Sequence, residues 1–135
     1  MININKQIAK PASRSNKAGD FFGKLFQIRD QIHLTHLNVS GIGSYAAHKA
    51  LNEFYDELLD LLDTLIESYQ GKYDLVDISI PASEKVDAVS ALEDLVSLTD
   101  SGMAYIMFKE TWIQNQIDEI STLAYQTLYK LKNLK

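Results

Sequence analysis

The stretch KYDLVDISIPA, residues 72–82, decides the fold. Its Val, Ile and Tyr favour extended backbone and Pro81 closes it, yet it stands between two segments with helical spacing. A short loop to an antiparallel neighbour would need only about 2 to 8 residues. Extended at ~3.3 Å per residue, residues 72–82 span roughly 36 Å, and the helix before them, about 26 residues at 1.5 Å each, spans about 39 Å. The linker therefore runs the length of a bundle and starts the next helix from the opposite end.

Working outward, residues 45–70 place Leu51, Phe54, Leu58, Leu62, Leu65 and Ile66 at helical intervals, with Gly71 a natural stop. Upstream, Phe22, Leu25, Phe26, Ile28, Ile32 and Leu37 mark a first helix from Ala18 to about Val39. Between the two, Ser40-Gly41-Ile42-Gly43-Ser44 is a turn in which Ser44 is the expected cap. Downstream, Ser83 is the expected cap of a third helix reaching about Leu98. Thr99 to Gly102 forms the last turn, and a fourth helix from Ala104 to Leu131 is expected to bury Ile106, Trp112, Ile113, Ile117, Ile120 and Leu128. The expected fold is all-α, a ferritin-like four-helix bundle with one long crossover between helices 2 and 3. Residues 18–135 form that bundle and residues 1–17, carrying Lys6, Lys10, Pro11, Arg14 and Lys17, a flexible basic arm.

The 135 residues include no cysteine, so disulfides, thiolate metal sites and Cys nucleophiles are excluded and a metal must bind through nitrogen or oxygen. The net charge of −5 is unevenly spread: residues 1–17 carry +4, residues 130–135 carry +3, and the body between them −12. Such a body attracts cations and repels nucleic acid. No apolar run approaches a membrane span and no signal peptide is visible, so a soluble cytoplasmic protein without a membrane partner is expected. Phosphate loops, dinucleotide fingerprints, nucleophile elbows and His-Glu-x-x-His are all missing.

One polar pattern carries chemistry. At about 100° per residue from His48, Asn52 lies near 40°, Asp63 near 60° and Glu67 near 100°, all on one side of the second helix. His48 and Asp63 are nonetheless about 22 Å apart along the axis, too far to share an ion within one chain. Two copies of the helix packed antiparallel about a two-fold axis would bring the His48 end of one to the Asp63/Glu67 end of the other, making two identical sites. His36 joins the His48 end through the glycine turn. The ordinary alternative is a polar helix seam for the histidines and a solvated face for the acids, since Asp56, Glu57 and Asp60 are acidic too. His33 is expected at the surface.

These residues resemble a known family. His36-Leu37-Asn38-Val39-x-Gly41, His48 twelve residues after His36, and Asp63-Thr64-Leu65-Ile66-Glu67 look like the ferroxidase signature of the starved-cell DNA-binding miniferritins (Dps), over about residues 20 to 70. The resemblance implies a two-subunit iron site in which His36 and His48 match the two histidines, Asp63 the second Asp and Glu67 the Glu. Other divalent metals fit the same donors. Asn52 stands where the family has its first Asp, and Leu37 replaces the usual aromatic residue after the first His. A neutral amide is a weaker ligand than a carboxylate, so the expected activity is a slow or weak ferroxidase serving iron sequestration. The resemblance also implies a homo-oligomer, at least a dimer, and allows the family's dodecamer and a grip on DNA through the basic tails. The last is the weaker expectation, because the body is acidic. The site of classical ferritins is set aside, since helices 3 and 4 contain no His and no Glu-x-x-His occurs. The chain has no room for the small helix that these proteins carry between the second and third bundle helices. The abbreviated pattern is similar to short ferritin-like proteins of bacteriophage genomes. A ferritin-fold structural or interaction protein without a metal site is the alternative function.

Overall fold

Helices form where apolar residues recur every three or four positions, and the chain departs from that spacing where the elements end. The computed structural model describes residues 12–100 and 102–135, with side chains described for residues 17–100 and 104–135. The described residues form five α-helices: α1 (Ala12–His36), α2 (Ser44–Lys72), α3 (Ala88–Thr99), α4 (Gly102–Met107) and α5 (Thr111–Asn133). There is no strand among the described residues. The class is all-α.

Four of the helices surround one core. α1 packs against α2 and α3, and α5 packs against the same two. Phe22, Leu25, Leu51, Phe54, Leu92 and Ile113, drawn from all four, are fully buried. Removing a Leu side chain of this kind from water is worth roughly 1.5–3 kcal/mol. A buried polar pair also joins two helices: Ser121 Oγ donates to Thr99 Oγ1 at 2.7 Å, and Thr99 Oγ1 donates to the Leu95 carbonyl.

The long connection, residues 73–87, lies along α1 and runs in the same direction. Its Asp77 and Ser79 carbonyls rest on the helix where Gly19 and Gly23 have no side chain, so close that a Cβ at either glycine would collide with them. Farther along, Gln27 Nε2 donates to the Ala82 carbonyl at 2.8 Å and Thr35 Oγ1 to the Val86 carbonyl at 2.9 Å. The chain thus leaves α2 beside the early turns of α1 and starts α3 beside its last turn. That path makes α3 parallel to α2 and antiparallel to α1.

Five boundaries differ from expectation. α3 is capped not by Ser83 but by Asp87, whose carboxylate accepts from the Val89 and Ser90 amides and the Ser90 hydroxyl. These bonds hold the Asp87 carboxyl below its usual range, the Ser90 side chain contributing most. At α2, Gly43 with φ +82° takes the cap position without a side-chain bond, and Ser44 is the first helical residue. The helix also passes Gly71 to end at Lys72. The expected fourth helix is two. Phe108, turned into the core against Phe21, Phe22 and Tyr69, breaks it, and Gln114 Nε2 donates to the Phe108 carbonyl that the break frees. Ile106 and Trp112, expected inside, are 78% and 39% exposed as a result. At the other end, α1 starts at Ala12, so residues 12–17 of the expected arm are helical; residues 1–11 lie outside the described residues.

Candidate metal centre

The last turn of α1 carries His33 and His36, and the second turn of α2 carries His48. Gly41 and Gly43, with φ of +92° and +82°, supply the left-handed backbone that folds α2 back onto α1. The hairpin brings His36 Nε2 to 3.1 Å from His48 Nε2, with the rings stacked and their centroids 3.9 Å apart.

Hydrogen bonding fixes the state of each ring. His48 Nδ1 lies 3.1 Å from the His36 carbonyl, which can only accept, so Nδ1 carries the proton and Nε2 of a neutral His48 presents a lone pair. His36 Nε2–H is then the donor between the rings, and His36 Nδ1, buried, has no well-formed hydrogen bond. Burial foremost, then the neighbouring His48 and His33, lowers the His36 pKa from its ordinary 6.5. The His33 backbone and the Asp56 carboxylate pull weakly the other way. His36 is thus a neutral imidazole near neutral pH.

Around this pair the side chains are locked. Tyr55, buried on α2, stacks on His33 at 4.1 Å and meets His36 edge-on at 5.2 Å. Its hydroxyl donates to Asn52 Oδ1 at 2.6 Å, and Asn52 Nδ2 points to Asp56 at 3.4 Å. Arg29 donates to the Tyr55 carbonyl at 3.2 Å and lies over the Tyr55 ring. Asn52 is thus engaged in holding Tyr55, and its carbonyl oxygen is only partly free for an ion. His33, expected at the surface, is instead half-buried against Tyr55. Sequence reading missed Tyr55 and Arg29. The available signal was spacing: Tyr55 falls seven residues after His48 and three after Asn52, on the same helix face.

Asp63 and Glu67 stand exposed farther along α2. Among the described residues no three His, Asp or Glu side chains of one chain converge as a metal site. One chain therefore brings together His36 and His48, sets Asn52 one turn along α2 bonded to Tyr55, and leaves Asp63 and Glu67 apart from them.

The model of a family of unknown function (DUF5856) matches residues 36–131, a stretch that begins at His36 and includes the other four residues. The chain belongs to this family. It is also 30% identical over 128 residues to an uncharacterized 14.6 kDa protein in the mobD-ri intergenic region of Enterobacteria phage T4, covering 89% of this chain and 91% of that protein. No solved structure matches. This DUF5856 member contains no helix, among the described residues, long and apolar enough to cross a membrane.

Proposed function

We propose that the protein is a phage-encoded, ferritin-like metal-binding protein that takes up ferrous iron, or a similar divalent ion, through His36 and His48. The observation that carries this reading is the 3.1 Å between the two Nε2 atoms. Neighbouring ligands on one ion, each about 2.0–2.1 Å from it, lie about 3 Å apart. The bond from His48 Nδ1 to a backbone carbonyl is the outer support that ligating imidazoles use. Binding an ion through His36 Nε2 shifts that ring's proton to Nδ1 without releasing it, and at acid pH protons compete with the ion for the imidazole nitrogens, so uptake weakens there.

Asp63 and Glu67 of a second copy complete the ligand set, and Asn52 acts mainly by holding Tyr55. With an amide at position 52 the oxidation of bound ferrous iron by dissolved oxygen or peroxide is slow, and sequestration in the host cytoplasm is the main role. The phage relative supports the source, and the crossover along α1 supports the ferritin-like assignment.

Anaerobic titration calorimetry with ferrous iron tests this. The wild type should bind, and His48→Ala should bind roughly tenfold or more weakly, because no other side chain of that turn supplies an imidazole. Equal binding by both, or binding by neither, contradicts it. A second reading, an interaction protein of the same fold, is favoured by the apolar Leu34, Leu37, Ile42 and Tyr45 standing exposed beside the α1–α2 turn. That reading takes over if no iron binds.

A further inference from the structure

We infer that a divalent metal ion is the switch for dimerisation: two copies meet through the exposed face of α2 only when the ion is bound between them. This rests on the reading above and adds what controls it. Four acids, Asp56, Asp60, Asp63 and Glu67, fall within about 60° of one another around α2, all exposed and none in an ion pair among the described residues. The nearby cations are engaged on their own chain: Lys49 lies over the Tyr45 ring, and Arg29 is bound to the Tyr55 carbonyl and paired with Asp30.

Antiparallel packing that sets His48 opposite the middle of the Asp63–Glu67 pair places the two-fold axis near residues 56 and 57. Asp56 of one copy then faces Asp56 of the other, and the remaining acids crowd the same seam. Charges of one sign brought this close repel even in bulk water, and more strongly as the seam loses water. Without a cation the face opposes its own pairing. With one, Asp63 and Glu67 turn from a source of repulsion into ligands, and the ion gains the donors that a single chain lacks. The imidazole end points to a metal independently of the acids: the two Nε2 atoms are 3.1 Å apart, and His36 is 6% exposed with no well-formed hydrogen bond at Nδ1.

Sedimentation equilibrium of the full chain at micromolar concentration, with Zn²⁺ as a probe that does not change oxidation state, tests the switch, alongside calorimetry of the same samples. In chelator the mass should equal one chain, 15.2 kDa, and with Zn²⁺ it should double. Zn²⁺ binding with an unchanged mass, whether one chain or two, overturns the switch alone. No Zn²⁺ binding overturns it together with the metal-site reading. The double substitution Asp56→Asn/Asp60→Asn, which spares every proposed ligand, should strengthen metal-free association by about fivefold or more. Raising salt toward 1 M, where the screening length falls to about 3 Å, should act in the same direction. Metal-free association unmoved by both also overturns the proposal.

Discussion

His36 is the residue where burial, charge and chemistry meet. Its imidazole is desolvated and has two other imidazoles for neighbours, so the folded protein resists protonating it while the unfolded chain does not. The sign follows from linkage: with the folded pKa below 6.5, the unfolded state binds more protons in the window between the two values, and stability rises with pH there. The urea midpoint should fall as pH drops through about 6.5 and level off below the folded value. In His36→Gln that part of the slope should vanish, and an unchanged slope would show that His36 titrates as it does in the unfolded chain. At Asn52 the expected change has the opposite character. Asn52→Asp keeps an acceptor for the Tyr55 hydroxyl and adds an anion one turn from His48, so iron occupancy and the initial rate of ferrous oxidation, followed by absorbance, should both rise above wild type. A rate and occupancy equal to wild type would remove position 52 from the site.

At the scale of elements, the seat of the crossover on α1 makes a sharp test. Alanine in place of glycine inside a helix ordinarily stabilises by about 0.5–1 kcal/mol. At Gly23 the added Cβ would strike the Ser79 carbonyl, and forced overpacking costs typically 1–3 kcal/mol. The second effect is larger, so Gly23→Ala should lower the urea midpoint; a higher midpoint would mean that the crossover does not rest there. The crossover was legible in residues 72–82 because length and extended-backbone preference both exclude a short antiparallel loop. The cap at Asp87 was not, because Ser83 also has a capping side chain and only three-dimensional placement decides which amides are free. The break at Phe108 was hidden for another reason. No Gly or Pro marks it, and an aromatic drawn into the core by Phe21, Phe22 and Tyr69 overrides a continuous helical pattern. In the site, the meeting of His36 with His48 followed from the glycine turn and twelve-residue spacing, whereas the Tyr55–Asn52 bond depends on side-chain rotamers that spacing leaves open.

For the whole molecule, charge and symmetry set the expectations. Any hold on DNA must come from the basic ends against a body of net −12, so it should depend on several chains acting together and weaken steeply with salt. Deleting residues 1–17 should abolish retardation of DNA on a gel if the arm carries it, and unchanged retardation would assign the grip elsewhere. The central claim is that one metal site is built from two chains, and complementation tests it most directly. One variant, His36→Ala/His48→Ala, lacks the imidazoles; the other, Asp63→Asn/Glu67→Gln, lacks the acids. Each alone should bind ferrous iron poorly. In a mixed dimer one site loses both sets of ligands and the other keeps both, so mixing the two variants should restore about one tight site per pair of chains in anaerobic calorimetry. A mixture that binds no more iron than the two variants measured separately would contradict the account.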